Sequence, residues 1–494
     1  MHILVLEAST SSAKAMVYAP GAGILRLESS RYPAELSNGI TQDARGLMDV
    51  LLSVGKKACE DFEISLIVLS GIWHSTLLTQ QGLPASPVYT WAHVAASQQA
   101  SRVRADAALT AAVYQRTGCL PHASYPAYRL RYLRDNGLDL SPYEINGYAD
   151  FLFSELTGQR GTSLNMASGT GLLNIQTLDW DEKTLADLGL SRTQVPPIRP
   201  SLTTAPLLNL SAMRLGLPSG IPVSLPFADG FMNQLGAGAR EHGQLTISVG
   251  TSCAIRTLTN QPLTDDHSRG LWCYYGIDRW LIGAATTGGT SSLDWFRDTL
   301  APQHSLPELD QMAQVRLQTC LSDAGDHDRA IASPLPVFLP FQNGERSPGW
   351  RERPATGFFG VQASHTLGDL YQAALEGVLY NVYQCYERLV QVVPVQSINL
   401  SGGILYSPHW RQMAADLFQR DLLVPESEQA SLLGGAVLGQ MILGVSPAAD
   451  EMAFRQQLVI KPDPSRASYY QHNYQRYLEA YTNSALAKDA QTIL

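Results

Sequence analysis

The feature of this chain that most constrains its fold is a strand–turn–strand pattern that occurs twice. Residues 3–18 read ILVLEASTSSAKAMVY and residues 247–256 read ISVGTSCAIR, so apolar runs enclose a small, hydroxyl-rich turn in both. The turns align as Thr10-Ser11-Ser12-Ala13 and Thr251-Ser252-Cys253-Ala254. Each copy opens about half of the 494-residue chain. The repeat therefore predicts two related domains, each beginning with a hairpin.

The composition is that of an ordinary globular protein and argues against several classes of partner. Apolar residues make up 45% of the chain and charged residues 16%, with a net charge of -9 and a pI of about 5.7. This acidic balance argues against nucleic acid or an anionic membrane as the main partner. Six scattered cysteines without a CxxC pair predict buried thiols in a reducing compartment. Because no apolar run is long enough to span a membrane and no signal peptide opens the chain, we expect a cytoplasmic protein.

Alternating strand and helix signals divide the chain into segments. A strand, a loop and a second strand are predicted at 66–80, and a strand followed by a small-residue helix at 216–239. The longest helical pattern covers 365–393. We expect three segments: an N-terminal domain over 1–243, a C-terminal domain over 244–445, and a helical tail over 446–494 that packs on the second domain.

Four strand-to-turn junctions are rich in Gly, Ser and Thr: 9–12, 250–252, 287–292 and 401–403. Backbone N–H groups at such turns form anion sites, and glycine lets the backbone approach the anion closely. Any single turn of this kind can equally be a simple connection between strands. Two of the four occupy matched positions in the duplicated chain, which favours phosphate binding. The chain has no GxxxxGK[ST], HExxH or GxSxG motif, so a P-loop, zinc hydrolysis and serine-esterase chemistry have little support.

One acid stands out by its position. Asp229, in LPFADGFMNQLG, follows an apolar strand and precedes a small-residue helix. A carboxylate at the carboxyl end of a strand is well placed to act as a general base. The alternative is that Asp229 is the N-cap of the helix and only satisfies free backbone donors.

Taken together, these segments resemble the FGGY family of carbohydrate kinases over most of residues 1–445. The most specific stretches are NGERSPGWRERPATGFFGV (343–361) and SGGILYSPHWRQMAADLFQRDLLVPESEQASLLGGAVLG (401–439). Within the family, four stretches are more similar to the gluconate kinases: GIWHSTLL (71–78), VYQRTGCLPHASYPAYRLRYL (113–133), SLNMASGTGLLNIQTLDWDEKTL (163–185) and ADGFMNQLGAGA (228–239).

The resemblance implies an α/β fold of two actin-like (ribonuclease H-like) domains, related by duplication, with a cleft between them. It also implies transfer of the γ-phosphoryl group of ATP to a hydroxyl of a sugar or sugar acid, with Mg²⁺ as cofactor. The partners it implies are the small-molecule sugar or sugar acid and ATP, and a homodimer is an open alternative to the monomer.

Carried over by position, the resemblance makes Asp229 the base that accepts the hydroxyl proton. Trp73 and His74 fall in the substrate loop, where His74 would hydrogen-bond the sugar unless it is a buried structural histidine. Glu7, acting through water, and Asp229 would hold Mg²⁺. The nucleotide would be bound by small residues of the turns: Thr10, Ser11, Ser12, Gly250, Thr251, Ser252, Gly288, Gly289, Gly402, Gly403 and Ser407.

The chain departs from the family pattern at several positions. Glu7 and Ser9 replace the Asp and Gly of Asp-x-Gly-Thr. Glu7 lengthens the metal-side acid, and Ser9 puts a Cβ where the backbone would approach phosphate, where a positive φ would strain the backbone. His93 and Ala95 replace the charged residues of Trp-x-Asp-x-Arg, and Ala149 replaces a lysine of the gluconate kinases. An anionic substrate loses positive partners by these changes.

Three functions therefore follow from the sequence. An active kinase with gluconate as the leading substrate comes first, and a ketopentose kinase of the xylulose type comes second. A weakly active or inactive homologue that senses a sugar or nucleotide is the third, although the retained Asp229 argues against it. Arg129 and His122 are further candidate donors to the substrate, and we expect Glu345 and Arg346 to tie loops together near the cleft.

Overall fold

The computed structural model describes residues 1–264, 270–324, 335–351, 354–446 and 456–491. Two predicted segments therefore extend beyond the described residues: Glu352 and Arg353 of the stretch 343–361, and 447–455 with 492–494 of the predicted tail. The strands are β1 (His2–Ala8), β2 (Ser12–Ala19), β3 (Gly23–Arg31), β4 (Thr41–Gln42), β5 (Ile64–Gly71), β6 (Leu77–Gln80), β7 (Leu83–Pro84), β8 (Val88–Tyr89), β9 (Glu144–Asn146), β10 (Thr162–Ser163), β11 (Leu173–Asn174), β12 (Asp179–Trp180), β13 (Ile198–Arg199), β14 (Thr204–Pro206), β15 (Pro222–Ala228), β16 (Gln244–Val249), β17 (Cys253–Thr259), β18 (Trp272–Tyr275), β19 (Trp280–Ala285), β20 (Val337–Leu339), β21 (Gly357–Phe359), β22 (Ser397–Ser401), β23 (Leu422–Pro425) and β24 (Gln456–Ile460).

The helices are α1 (Ala44–Cys59), α2 (Ser97–Arg104), α3 (Ala107–Thr117), α4 (Pro126–Asp135), α5 (Tyr148–Thr157), α6 (Leu164–Ser168), α7 (Glu182–Leu188), α8 (Asn209–Leu215), α9 (Asp229–Gly236), α10 (Thr290–Leu300), α11 (Leu306–Ala324), α12 (Leu367–Val392), α13 (Pro408–Phe418), α14 (Ala430–Ile442) and α15 (Ala467–Gln491). Helix α12, with 26 residues, is the longest of those described, as the sequence predicted. Among the described helices, none combines the length and the apolar character needed to cross a membrane.

The first large sheet is built around the N-terminal hairpin. In the described residues its strand order is β14-β15-β5-β1-β2-β3. Strand β1 runs antiparallel to β2 and parallel to β5, and β5 runs parallel to β15. The apolar residues of β1 from Ile3 to Leu6 are fully buried because helices cover both faces of the sheet, as is typical of parallel strands.

The second large sheet repeats this arrangement. Its order in the described residues is β18-β19-β17-β16-β22-β23-β24. Strand β16 runs antiparallel to β17 and parallel to β22, and β22 runs parallel to β23. The hairpins β1–β2 and β16–β17 thus occupy equivalent places in their sheets. This confirms the duplication that the repeated hairpin predicted.

Helices α9 and α14 pack against each other at the junction of the two halves. A methyl group at Gly236 would lie 1.7 Å from the carbonyl oxygen of Ala430, and one at Gly434 would lie 1.9 Å from that of Met232. Only glycine permits this approach of the two backbones. On its other side α14 packs on β1, where Gly435 faces Val5. The start of α9, which carries Asp229, is therefore held between the two sheets.

The chain after residue 445 contributes a strand as well as a helix. Strand β24 pairs antiparallel with β23, at the same edge position that β14 has beside β15 in the first sheet. Helix α15 lies against α12, α13 and β20, and its Tyr470 and Tyr477 are fully buried. All six cysteines are buried and none forms a disulfide, as the sequence predicted.

Candidate active site

A cavity of about 320 Å³ lies where the two halves meet. The first half supplies the hairpin β1–β2, the loop after β5 and the start of α9, and the second half supplies β16–β17, β18 and Arg346. Six of the predicted site residues line it: Glu7, Trp73, His74, Asp229, Gly250 and Ser252. A larger, open cavity of about 820 Å³ between residues 34–45 and 83–87 contains none of the predicted site residues. The interdomain cavity is therefore the candidate active site.

Asp229 is the first residue of α9, and Ala228 occupies the N-cap position. The carboxylate accepts a hydrogen bond from the adjacent Gly230 N–H at 2.7 Å and makes no side-chain cap bond further into the helix. The N-cap alternative is therefore wrong. Burial, and next the charge of Glu7, raise the pKa of Asp229 to about 6. Asp229 thus changes its charge close to neutral pH, as a general base requires.

Glu7 faces the same cavity from β1. It lies opposite Lys14 in the hairpin register, and the Lys14 Nζ is 3.1 Å from Glu7 Oε1. The side chain of Glu7 is only 2% exposed. Its second oxygen, Oε2, is buried and has no hydrogen-bond partner in the described structure. One carboxylate oxygen is therefore left to bind a cation or an ordered water.

The turn of the first hairpin is closed by Ser9. Its Oγ donates to the Ser12 carbonyl at 2.8 Å and accepts from the Ser12 N–H at 3.2 Å. Ser9 does not have a positive φ, so the backbone strain expected at this position is absent. The cost lies elsewhere, because the Ser9 hydroxyl now occupies a Ser12 amide that could otherwise face an anion.

Thr10 and Ser11 do not line the cavity, although Thr10 contacts Trp91, which does. The Thr10 hydroxyl accepts from Trp91 Nε1 at 3.2 Å, and its carbonyl accepts from Gln42 Nε2 at 2.7 Å. The Ser11 carbonyl accepts from the Tyr32 N–H. Thr10, Ser11 and Ser12 are therefore close to the cavity, but none of the three lines it. Their predicted contact with phosphate remains a prediction.

The second turn, 250–252, lies against the beginning of α10. Gly250 O accepts from the Thr290 N–H at 2.7 Å, and Thr251 O accepts from the Ser291 N–H at 3.3 Å. A methyl group at Gly289 would lie 2.3 Å from Gly250 O. The predicted turns at 250–252 and 287–292 are therefore in direct contact through their backbones.

The third glycine turn joins the same cluster. Gly402 has a φ of +88°, and a methyl group there would lie 2.6 Å from the carbonyl oxygen of Val249. Gly288 is equally confined, because its Cβ position is 2.4 Å from Pro340 O. Gly403 lies at the start of a short 3₁₀ turn beside Thr290. The second half therefore gathers the predicted nucleotide turns at the carboxyl ends of β16, β19 and β22.

Ser407 is the N-cap of α13, and its hydroxyl accepts from the Trp410 N–H at 3.1 Å. It does not line the interdomain cavity. Its predicted place in an adenosine pocket therefore remains a prediction, with the hydroxyl already engaged by the helix.

The wall away from the glycine turns is aromatic. Trp73 lies 4.6 Å from the ring of Tyr274 between centroids, and Trp272 stacks on Tyr274 at 4.2 Å. Trp73 is fixed by a hydrogen bond from its Nε1 to the carbonyl of Asn165 at 3.2 Å. Such a wall with few polar groups suits the apolar face of a carbohydrate.

His74 has an unusual backbone for a non-glycine residue, with a φ of +62°. Its Nδ1 is 2.5 Å from the Gly169 carbonyl, which assigns the ring proton to Nδ1 and leaves Nε2 as an acceptor. Burial, and next the charge of Arg346, lower the pKa of His74 to about 3. His74 is thus a buried, neutral histidine on the cavity wall, and its predicted hydrogen bond to the sugar remains a prediction.

Two further candidate donors from the sequence, Arg129 and His122, do not line the cavity. Arg129 is fully buried and donates to the carbonyls of His74, Thr90 and Ser124, so it braces the loops of the site instead of facing a substrate. His122 is buried and bound to Ser124 at 2.9 Å. The structure therefore does not bring either side chain to the cavity surface.

The three replaced positions His93, Ala95 and Ala149 do not line the cavity. His93 packs against the rings of Tyr89 and Tyr132. Ala149 is buried against Gly71, where an added methyl group would lie 2.7 Å from the Ala149 methyl.

Among the cavity residues that sequence reasoning missed are Lys14, Arg256, Trp272 and Tyr274. Lys14 could have been found from the hairpin symmetry, because a turn at 9–12 sets position 14 opposite Glu7. Ala254 and Arg256 are two residues apart on β17, so their side chains leave the same face of the strand and both line the cavity. Trp272 and Tyr274 are likewise two residues apart on β18 and share one face of it, but no sequence motif singles them out.

Comparison with known proteins identifies the family. The model of the N-terminal domain of the FGGY family of carbohydrate kinases matches residues 2–236, and that of the C-terminal domain matches residues 245–443. The chain belongs to the FGGY family of carbohydrate kinases. This FGGY kinase is 28% identical over 469 residues to a gluconokinase of Bacillus subtilis, which covers 92% of this chain and 90% of the relative.

Two solved structures have the same fold as this FGGY kinase. A gluconate kinase and a xylulose kinase, both from Lactobacillus acidophilus, are each 25% identical, with a TM-score of 0.87 over 98% of both chains. The fold is thus the duplicated, actin-like (ribonuclease H-like) one that the sequence implied. ATP and a sugar are the substrates expected of any member of this family.

Proposed function

We propose that this FGGY kinase transfers the γ-phosphoryl group of ATP to a hydroxyl of a sugar acid, with gluconate as the first candidate and Asp229 as the general base. The observation that carries the proposal is the position of Asp229. Its carboxylate, with a pKa raised to about 6, lines a cavity that has glycine turns at one end and an aromatic wall at the other.

In this proposal the substrate hydroxyl lies against Asp229, which accepts the proton as the bond to phosphorus forms. Such a base contributes about 10²- to 10⁴-fold to the rate. Because the transition state of phosphoryl transfer is loose and rich in charge, most of the remaining acceleration comes from positioning and electrostatics. Backbone amides of the turns at 250–252, 288–289 and 402–403 are the groups that would cradle the nucleotide phosphates.

The residues of the cavity fit Mg²⁺. Glu7 has a buried oxygen without a hydrogen-bond partner, and Asp229 lies near enough for its pKa to respond to the charge of Glu7. Within the described residues no cluster of three or more His, Cys, Asp or Glu could hold a metal alone, which suits a cation held by two carboxylates, waters and substrate phosphates. Bound Mg²⁺ would neutralise charge on the transferring phosphoryl group. Without Mg²⁺, the ammonium group of Lys14 would balance the charge of the Glu7 carboxylate.

Two alternatives have specific support. A xylulose-type ketopentose kinase is supported by a solved xylulose kinase that is as similar in fold as the gluconate kinase. A weakly active homologue that senses its ligands is supported by the Ser9 hydroxyl, which occupies the Ser12 amide in the first turn. Gluconate stays first because a gluconokinase aligns with nearly the whole chain.

The test is ADP formation from MgATP over a panel of gluconate, xylulose, ribulose and glycerol. We expect gluconate to give the highest kcat/KM, and Asp229→Asn to lower kcat by about 10²- to 10⁴-fold. The exposed Asp61, 81% accessible in its side chain, provides a matched Asp→Asn control that should leave the rate unchanged. Full turnover by Asp229→Asn would exclude Asp229 as the base. Nucleotide binding without turnover of any panel member would favour the sensor.

A further inference from the structure

Two arginines of the second half face the cavity. Arg256, on β17, and Arg346, in the loop after β20, both line it. In the part of the chain that the structure describes, neither forms an ion pair, whereas Lys14 is paired with Glu7. The Nη1 atom of Arg256 and the Nε atom of Arg346 are buried and lack hydrogen-bond partners among the described residues. The cavity thus holds more cationic side chains (Lys14, Arg256 and Arg346) than carboxylates (Glu7 and Asp229), and this excess of positive charge favours binding of an anion.

The position of Arg256 indicates which end of the substrate the anion belongs to. Arg256 is four residues beyond Ser252, and at about 3.3 Å per residue the strand carries it ~13 Å from the phosphate turn. A methyl group at Gly230 would be 3.3 Å from the Arg256 guanidinium and equally close to the ring of Trp73. Arg256 therefore lies between the start of α9 and the aromatic wall, beside Trp73.

Arg346 reaches the same end of the cavity from another loop. Its Nη2 is 3.4 Å from Nε2 of His74, the ring nitrogen that is left as an acceptor. The loop is held from behind by the buried Glu345, which accepts from the Gly349 N–H at 3.0 Å, from Arg351 Nε at 2.6 Å and from the Tyr481 hydroxyl at 2.6 Å. Arg346 is thus only 7% exposed and held in place from both sides.

We propose that Arg256 and Arg346 together bind the carboxylate of the sugar acid, and that they are the residues that select an acid over a neutral sugar. This inference rests on the proposed kinase function. The positive charge that is missing at positions 95 and 149 of the first half is then supplied by the second half. A guanidinium pair gives charge-assisted, directional hydrogen bonds to a carboxylate, which a neutral sugar cannot accept in the same way.

A second anion could use the same arginines, namely the γ-phosphate of ATP. Both anions require hydrogen-bond donors and positive charge. The location of Arg256 and Arg346 beside Trp73 and His74 favours the carboxylate. The experiment separates the two anions by measuring binding of the acid and of the nucleotide independently.

The test compares D-gluconate with D-glucitol, a neutral polyol that has a hydroxymethyl group in place of the carboxylate. Binding of each is measured by calorimetry without nucleotide, and kcat/KM is measured with saturating MgATP. The pH is 8, so that Asp229 stays ionised in all variants whatever the effect of the lost arginine on its pKa. The variants are Arg256→Gln, Arg256→Lys and Arg346→Gln, with Arg192→Gln as the matched control, because Arg192 lies on the surface with 43% of its side chain exposed.

We expect each Arg→Gln change to weaken gluconate binding and kcat/KM by about 10- to 100-fold, the range for one hydrogen bond to a charged group. Glucitol binding and the KM for ATP should change less than threefold, and Arg256→Lys should restore part of the preference for the acid. Equal losses for gluconate and glucitol, or a loss confined to ATP, would overturn the assignment while leaving the kinase function intact. A wild-type protein that phosphorylates no sugar or acid would instead refute the proposed function itself.

Discussion

The raised pKa of Asp229 makes a quantitative prediction about pH. If Asp229 is the base, only its ionised form is active, so activity must fall as the pH drops through its pKa. With a pKa of about 6, about 90% is ionised at pH 7 and about 10% at pH 5. We therefore expect kcat/KM for gluconate to be about tenfold lower at pH 5 than at pH 7. A carboxyl with the ordinary pKa of 3.8 would lose less than about 10% of its activity over the same interval.

The cause of the shift can be tested with Glu7→Gln. The charge of Glu7 contributes to raising the pKa of Asp229. Removing that charge should therefore move the acid limb of the kcat/KM profile to lower pH. The overall activity should also fall, because Glu7 is a proposed ligand of Mg²⁺. ADP should be quantified directly by chromatography, since coupling enzymes have pH profiles of their own. Far-UV circular dichroism at each pH excludes acid unfolding. A limb centred near pH 4 in the wild type, or one that Glu7→Gln leaves in place, would refute the reasoning.

Three further changes test other parts of the site. Gly289→Ala places a methyl group 2.3 Å from Gly250 O, so we expect the KM for ATP to rise at least tenfold in steady-state assays while gluconate binding by calorimetry is retained. Tyr481→Phe removes one of the donors to the buried Glu345, so urea denaturation should show about 1–2 kcal/mol less stability and the KM for gluconate should rise with little change in kcat. Ser9→Gly frees the amide that the serine hydroxyl occupies, so the KM for ATP should fall; an unchanged or higher value would show that the first turn is not limited by that bond.

The sequence predicted the frame of this site well because backbone patterns determine it. The two hairpins, the Gly-Gly turns and the strand before Asp229 are all local signals, and each formed where it was expected. The pairing of the hairpins in equivalent sheets followed from their repeat.

What sequence reasoning missed depends on contacts between distant segments. Arg346 contacts His74 of the first half, and its loop is held by Tyr481 of the C-terminal helix through Glu345. Nothing local reveals that Arg256 and Arg346 line the same cavity. The consequence of Ser9 was misjudged for a related reason. The expected cost was backbone strain, but the side chain instead formed its own hydrogen bonds within the turn. Strand β24, with the sequence QQLVI, was missed because it is short and its pairing with β23 is non-local.

The central claim is that this FGGY kinase moves a phosphoryl group from ATP to a sugar acid instead of to water. The most direct measurement follows ³¹P NMR of MgATP and D-gluconate with the wild-type protein and with Asp229→Asn. We predict that the wild type converts the γ-phosphate into a phosphate monoester in a one-to-one ratio with ADP, and that Asp229→Asn slows this by about 10²- to 10⁴-fold. Inorganic phosphate as the only product, or equal ester formation by the two proteins, would contradict the account.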